Sequence, residues 1–116
     1  MLRIAGSDLA RLESVADGTS LADELSRATV LPEERMPANI VRMYSRVTYR
    51  DERSGERRIV ELVLPEEADP TSGKVSVLAP VGSALLGLEE GEVIEWPFPY
   101  GLTRRLRVER TLAPAG

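Results

Sequence analysis

Residues 75–99 read VSVLAPVGSALLGLEEGEVIEWPFP, and the order of signals in that stretch decides the fold. Val75, Val77 and Leu78 make a short β-branched and aliphatic run. Pro80 then falls where the first turn of a helix accepts a residue without an N–H. From Ser83 to Leu88 the apolar positions are Ala84, Leu85 and Leu88, and Gly87 marks the helix end. Gly91 supplies a tight turn before Val93, Ile94 and Trp96. The stretch predicts strand, short helix, glycine turn, strand.

Working outward, Pro97 to Gly101 reads as an irregular turn, and Thr103 to Thr111 as a strand in which Leu106 and Val108 alternate with Arg105, Arg107 and Glu109. Upstream, Val47 and Tyr49 alternate with Arg46, Thr48 and Arg50, Asp51 to Gly55 is a turn, and Arg58 to Leu64 continues the period of two. Asp69 to Gly73 is a loop. Leu2 to Ala5 reads as an extended lead-in, and Ser7 as an N-cap with Asp8 in the first turn, where its charge suits the helix dipole. Leu9, Leu12 and Val15 or Ala16 share one helical face; beyond Asp17-Gly18, Leu21, Ala22, Leu25, Ala28 and Thr29 share another. Residues 8–30 therefore predict a short antiparallel helical hairpin, each arm about 15 Å long at the usual rise. Pro32 to Ala38 is a linker. The expected arrangement is α+β: residues 1–36 a hairpin and linker, residues 37–116 an antiparallel sheet carrying one short helix.

The 116 residues contain neither Cys nor His. Thiol nucleophiles, Ser-His-Asp triads and ordinary zinc sites are thereby excluded, and a core of this size needs no cofactor to fold. No apolar run reaches the length of a membrane span or signal segment, which leads to the expectation of a soluble cytoplasmic protein. The net charge of −4 is unevenly spread. Arg42, Arg46, Arg50, Arg53, Arg57 and Arg58 crowd one stretch and Arg104, Arg105, Arg107 and Arg110 another, whereas Glu61 to Glu95 carries eight acids against Lys74. The plain reading is that these charges line the wet face of a sheet.

Little else suggests chemistry. Glu89, Glu90, Glu92 and Glu95 surround a glycine turn, as solvated residues do. Asp17, Asp23 and Glu24 stand near the hairpin tip, where they would hold a cation weakly, although helix capping accounts for Asp17 and Asp23. Gly82 and Gly87 lack the spacing of a phosphate loop. Five aromatics are few for nucleic-acid stacking, and Trp96, Phe98 and Tyr100 instead suggest an apolar knob that anchors a loop. These residues favour a small binding or regulatory domain over an enzyme.

From Ser76 to Leu88, SVLAPVGSALLGL, then GEVIEW at Gly91 to Trp96 and TRRLRV at Thr103 to Val108, the chain resembles the C-terminal domain of Gre transcript-cleavage factors. Together with MPANIVRMYSRV at Met36 to Val47, nearly the whole chain is similar to the Rnk family, regulators of nucleoside diphosphate kinase. The resemblance implies an FKBP-like domain that docks on RNA polymerase at the rim of its secondary channel, gripping the coiled coil of the largest subunit. The contact would fall on Leu78, Ala79 and Pro80, with Val81 and Ser83 adjacent. Gre proteins commonly have Asp-Ser-Pro there, so Pro80 is the shared residue.

Gre proteins also reach the polymerase active centre with a long coiled coil whose acidic tip helps to hold a catalytic metal. Here residues 16–25 read ADGTSLADEL, without that motif, on short arms. The resemblance therefore implies docking as a monomer without transcript cleavage, without cofactor, membrane or sequence-specific nucleic acid. Two other readings stand beside it. One is regulation of nucleoside diphosphate kinase, direct or through transcription. The other is a peptidyl-prolyl isomerase, which the single Phe and single Trp make a poor match to the aromatic pocket of such enzymes.

Overall fold

The computed structural model describes residues 3–16, 18, 20–112 and 114. It is an α+β arrangement of a two-stranded unit, a five-stranded sheet and short helices. The chain enters through β1 (Arg3–Ala5), runs straight into α1 (Gly6–Ala16), continues through α2 (Ser20–Ser26) and returns as β2 (Thr29–Leu31), which pairs parallel to β1. Two expectations are corrected here. Ser7 lies inside α1 rather than at its cap, because Gly6 already takes helical geometry. The second arm ends at Ser26, and the β-branched pair Thr29 and Val30 extends beside β1 instead of continuing the helix.

Five strands follow: β3 (Arg46–Asp51), β4 (Arg57–Val63), β5 (Lys74–Ser76), β6 (Val93–Pro97) and β7 (Thr103–Leu112), in the order β5-β4-β3-β7-β6. The sheet is mixed, not wholly antiparallel. β5 runs parallel to β4, with Glu61 opposite Lys74 and Val63 opposite Ser76, since the two short turns at Pro65–Glu67 and Pro70–Ser72 carry the chain back to its starting end. A register shift between Thr48 and Tyr49 lets both Val108 and Thr111 of β7 face inward. The third α-helix is α3 (Pro80–Leu85), between β5 and β6.

One face of the sheet buries Val47, Tyr49, Val60, Leu62, Leu106 and Val108. Against it pack Ala84, Leu85 and Leu86 from α3 and its exit, Val41 and Met43 from the strap before β3, and Ile4, Leu12 and Leu25 from the N-terminal unit, all in one core. The other face is wet: Ile59 is 62% exposed, and the arginines there pair with carboxylates, as in Arg107 Nε to Glu52 Oε1 at 2.6 Å and Arg57 Nε to Glu109 Oε1 at 2.6 Å. These pairs hold both Glu52 below and Arg57 above its ordinary titration range. Arg57 and Arg107 of the arginine runs thus lie on a solvated face, where ion pairs add little stability, whereas Arg42 pairs with buried Asp8 and Arg104 stacks on Phe98. Among the described residues no helix is long and apolar enough to cross a membrane.

Candidate functional site

The candidate site read from the sequence is the connection from β5 into α3. Val77 continues the β5 ladder by donating its N–H to the Val63 carbonyl at 2.9 Å and is fully buried, so it anchors the loop. Ser76 then turns the chain: its Oγ accepts from the Leu78 N–H at 3.0 Å, and its carbonyl accepts from Ala79 at 3.0 Å. Ala79 is the extended N-cap of α3, with no side-chain cap, and Pro80 follows in the first turn, where its fixed φ fits. The Ser83 hydroxyl donates back to the Val77 carbonyl at 2.8 Å and closes the loop on itself.

Gly82 makes that closure possible. A Cβ at this position would lie 2.1 Å from the Ser76 carbonyl oxygen and 2.9 Å from Val77 Cα, so α3 sits on the strand exit only because residue 82 has no side chain. What reaches the surface is apolar. Pro80 is exposed, Leu78, Ala79 and Val81 are half-buried, and none of them can ionise. The arrangement suits burial against a partner and supplies no acid, base or nucleophile. Ser83, by contrast, spends its hydroxyl inside the loop.

The helix-tip residues are not brought together with this loop by any described contact. Asp23 is exposed in the first turn of α2, where Ser26 Oγ donates to its carbonyl at 2.7 Å. Asp17 and the side chains of Ser20 and Glu24 lie outside the described residues. No group of three or more acids that would hold a metal occurs among the described residues. The aromatic knob is only partly as expected. Trp96 and Phe98 pack against the core, with Arg104 stacked 5.1 Å above Phe98, but Tyr100 stands 99% exposed at φ 66°.

The sequence reading missed a polar cluster behind α3. Asp8 is 1% exposed and accepts from Arg42 Nε at 3.2 Å, from the Met43 N–H at 3.3 Å and from Arg11 Nη1 at 3.4 Å. Its spacing of four from Leu12, on the buried face of α1, was the available signal. Nearby, Tyr44 takes φ 65° and donates its hydroxyl to Glu67 Oε1 at 2.7 Å, which, with some burial, pushes the phenol up to about 12 and holds the Glu67 carboxyl below its usual range. An open groove of about 830 Å³ separates α3 and Trp96 from Arg3, Arg27 and Thr29 of the N-terminal unit.

A family description, "Transcription elongation factor, GreA/GreB, C-term", matches residues 36–110. The chain belongs to the GreA/GreB C-terminal family. The chain is 42% identical over 95 residues to the "Regulator of nucleoside diphosphate kinase" of Escherichia coli, covering 78% of this chain and 70% of that protein. It is 35% identical over 92 residues to the transcription elongation factor GreA of Azorhizobium caulinodans, covering 78% of this chain but only 59% of that GreA's length. Among solved structures, "Prokaryotic transcription elongation factor GreA/GreB from Nitrosomonas europaea" superimposes with a TM-score of 0.78 at 41% identity, covering 97% of this chain and 98% of its own. GreA factor homolog 1 (Gfh1) of Thermus thermophilus superimposes at 0.52 with 26% identity, covering 97% of this chain and 99% of its own. One of these relatives is named as a regulator of nucleoside diphosphate kinase, two as transcription elongation factors and one as a GreA factor homolog.

Proposed function

We propose that this Gre-family chain is a regulator of transcription that docks on RNA polymerase at the rim of the secondary channel and has no transcript-cleavage activity of its own. The loop at Leu78, Ala79, Pro80, Val81 and Ser83 grips the coiled coil of the largest subunit. Residues 37–116 act as an FKBP-like docking domain, and residues 1–36 as a short helical hairpin at the channel mouth. The protein acts in the cytoplasm as a monomer and excludes factors that must enter the channel.

The observation that carries this reading is the size of the N-terminal unit attached to a Gre-type domain. At the usual rise, the 11 residues of α1 span about 16 Å and the seven of α2 about 10 Å. Such helices fall short of a buried active centre. The apolar, non-ionisable surface of the loop supports partner binding, since contacts of that kind are stabilised when a partner excludes water.

The test is a backtracked elongation complex. Added alone, the protein leaves the transcript uncut; added with a cleavage factor, it slows cleavage in proportion to its concentration. Strong stimulation of cleavage by this chain alone sinks the proposal. A second reading, favoured by the name of the 42% identical relative, is regulation of nucleoside diphosphate kinase. Co-purification separates the two: polymerase subunits support the first, and the kinase alone supports the second.

A further inference from the structure

We propose that the buried carboxylate of Asp8 is a positioning device, fixing the direction in which α1 and α2 stand relative to the loop at Leu78–Ser83. Its contacts join two bodies. On one side is α1, which carries Asp8 itself and Arg11. On the other is the strap 40–45, through Arg42 Nε and the Met43 N–H.

That strap is tied in both directions. Tyr44 donates its N–H to the Leu62 carbonyl at 2.7 Å, and Leu62 donates to the Ser45 carbonyl at 3.2 Å, which fixes the strap to β4. Val41 donates to the Leu88 carbonyl at 2.8 Å and accepts from the Gly87 N–H at 2.9 Å, which fixes it to the exit of α3. A continuous chain of directional bonds therefore runs from α1, through Asp8 and the strap, to the helix that carries the candidate docking loop.

Apolar packing alone would not set this angle. Ile4, Leu12 and Leu25 enter the common core, but hydrophobic burial is non-directional and tolerates rotation of one body over another. A buried ion pair is commonly no more stabilising than apolar residues of the same volume, and its best-attested use is to select one arrangement. With Asp8 1% exposed and the Arg42 side chain 14% exposed, the pair is of that buried kind. The Arg3–Glu89 pair, which also spans the two bodies, is more than one-third exposed on both side chains and is screened by water. If the docking proposed above holds, the cluster decides where the helices lie at the channel mouth, although the inference about orientation does not depend on it.

The chain has no cysteine, so thiols introduced at the exposed positions Glu13 and Glu66 carry a unique pair of spin labels. Pulsed electron spin resonance on the free protein then reads the distance from α1 to the sheet. The otherwise unaltered chain gives one narrow peak. Asp8→Leu with Arg42→Met keeps or raises the unfolding midpoint, yet the peak broadens or splits; Asp8→Asn, which holds the volume, broadens it in the same way and carries the test if the double variant does not fold. A narrow, unshifted peak in either folded variant overturns the proposal, as does a double variant that loses stability while its peak stays narrow. Polymerase takes no part, so this outcome is independent of whether the loop docks.

Discussion

Gly82→Ala places a methyl group 2.1 Å from the Ser76 carbonyl oxygen, 2.9 Å from Val77 Cα and 3.0 Å from the Ser76 carbonyl carbon. All three neighbours are backbone, and they belong to the strand exit that pairs Ser76 with Val63, so no flexible side chain can yield. Either α3 lifts or β5 shifts, and each movement opens the Ser83 hydroxyl bond to the Val77 carbonyl. Overpacking of a close-packed site costs about 1–3 kcal/mol and the lost hydrogen bond about 1 kcal/mol, which gives roughly 2–4 kcal/mol together. For a domain of this size that lowers the thermal midpoint by roughly 8–16 °C. The assay is thermal unfolding followed by circular dichroism. Gly91→Ala is the control: at φ 90° with nothing within 4 Å of its Cβ, it carries only the left-handed backbone cost of about 1 kcal/mol. A Gly82→Ala midpoint within the range of that control refutes the close-approach argument.

Ser83→Ala, which removes only the bond to the Val77 carbonyl, lowers stability by about 1 kcal/mol in urea unfolding, while a loss below the fitting error contradicts it. Tyr100→Gly, relieving φ 66° at a side chain that touches nothing, leaves stability unchanged or raises it by up to about 1 kcal/mol in the same experiment; a clear loss shows that the ring does make contacts. Because the Tyr44 phenol lies above its ordinary 10.0, at about 12, its contribution is complete below pH 10 and is lost as pH rises through about 12, so Tyr44→Phe flattens the alkaline limb of the stability–pH curve. The Glu67 carboxyl is depressed below 4.5, so its contribution is complete above pH 4.5 and lost on acidification through the lower folded value; Glu67→Gln flattens that limb, and a parallel curve for either variant contradicts the assignment.

The region around α3 was legible because its signals are local. Pro80 sits in the first turn, Gly87 takes φ 85° at the exit and Gly91 takes φ 90° before β6, each as its residue type demands. The alternation in β3, β4 and β7 likewise names the inward residues directly, apart from the register shift that turns Thr111 inward. Pairings set by distant partners were hidden. β1, β2 and β5 have three residues each, too few to show a period, and their parallel directions follow from where the rest of the chain delivers them. Thr29 to Leu31 was masked because Ala28 extends the helical spacing of Leu21 and Leu25, so the run looked like one longer arm.

The candidate site was half visible for similar reasons. That Pro80 and its apolar neighbours form a turn could be read; that Gly82 is required by a backbone contact with Ser76, and that Ser83 bonds inward, depends on the packing of α3. Asp8 looked like a helix-dipole residue because its partner Arg42 lies 34 positions away, and only the assembled core places them together. The positive φ of Tyr44 and Tyr100 left no mark in the sequence, since both types ordinarily avoid that region.

Docking through the loop is tested most directly by the affinity of core RNA polymerase for the parent chain and for Pro80→Asp. Aspartate is well tolerated in the first turn of a helix, so circular dichroism and the unfolding midpoint stay at parent values. The exposed apolar loop then carries a charge into the proposed interface, where an unpaired buried carboxylate costs several kcal/mol, and binding falls by roughly 100-fold or more. Equal affinity of the two folded proteins contradicts the account and places the interface elsewhere.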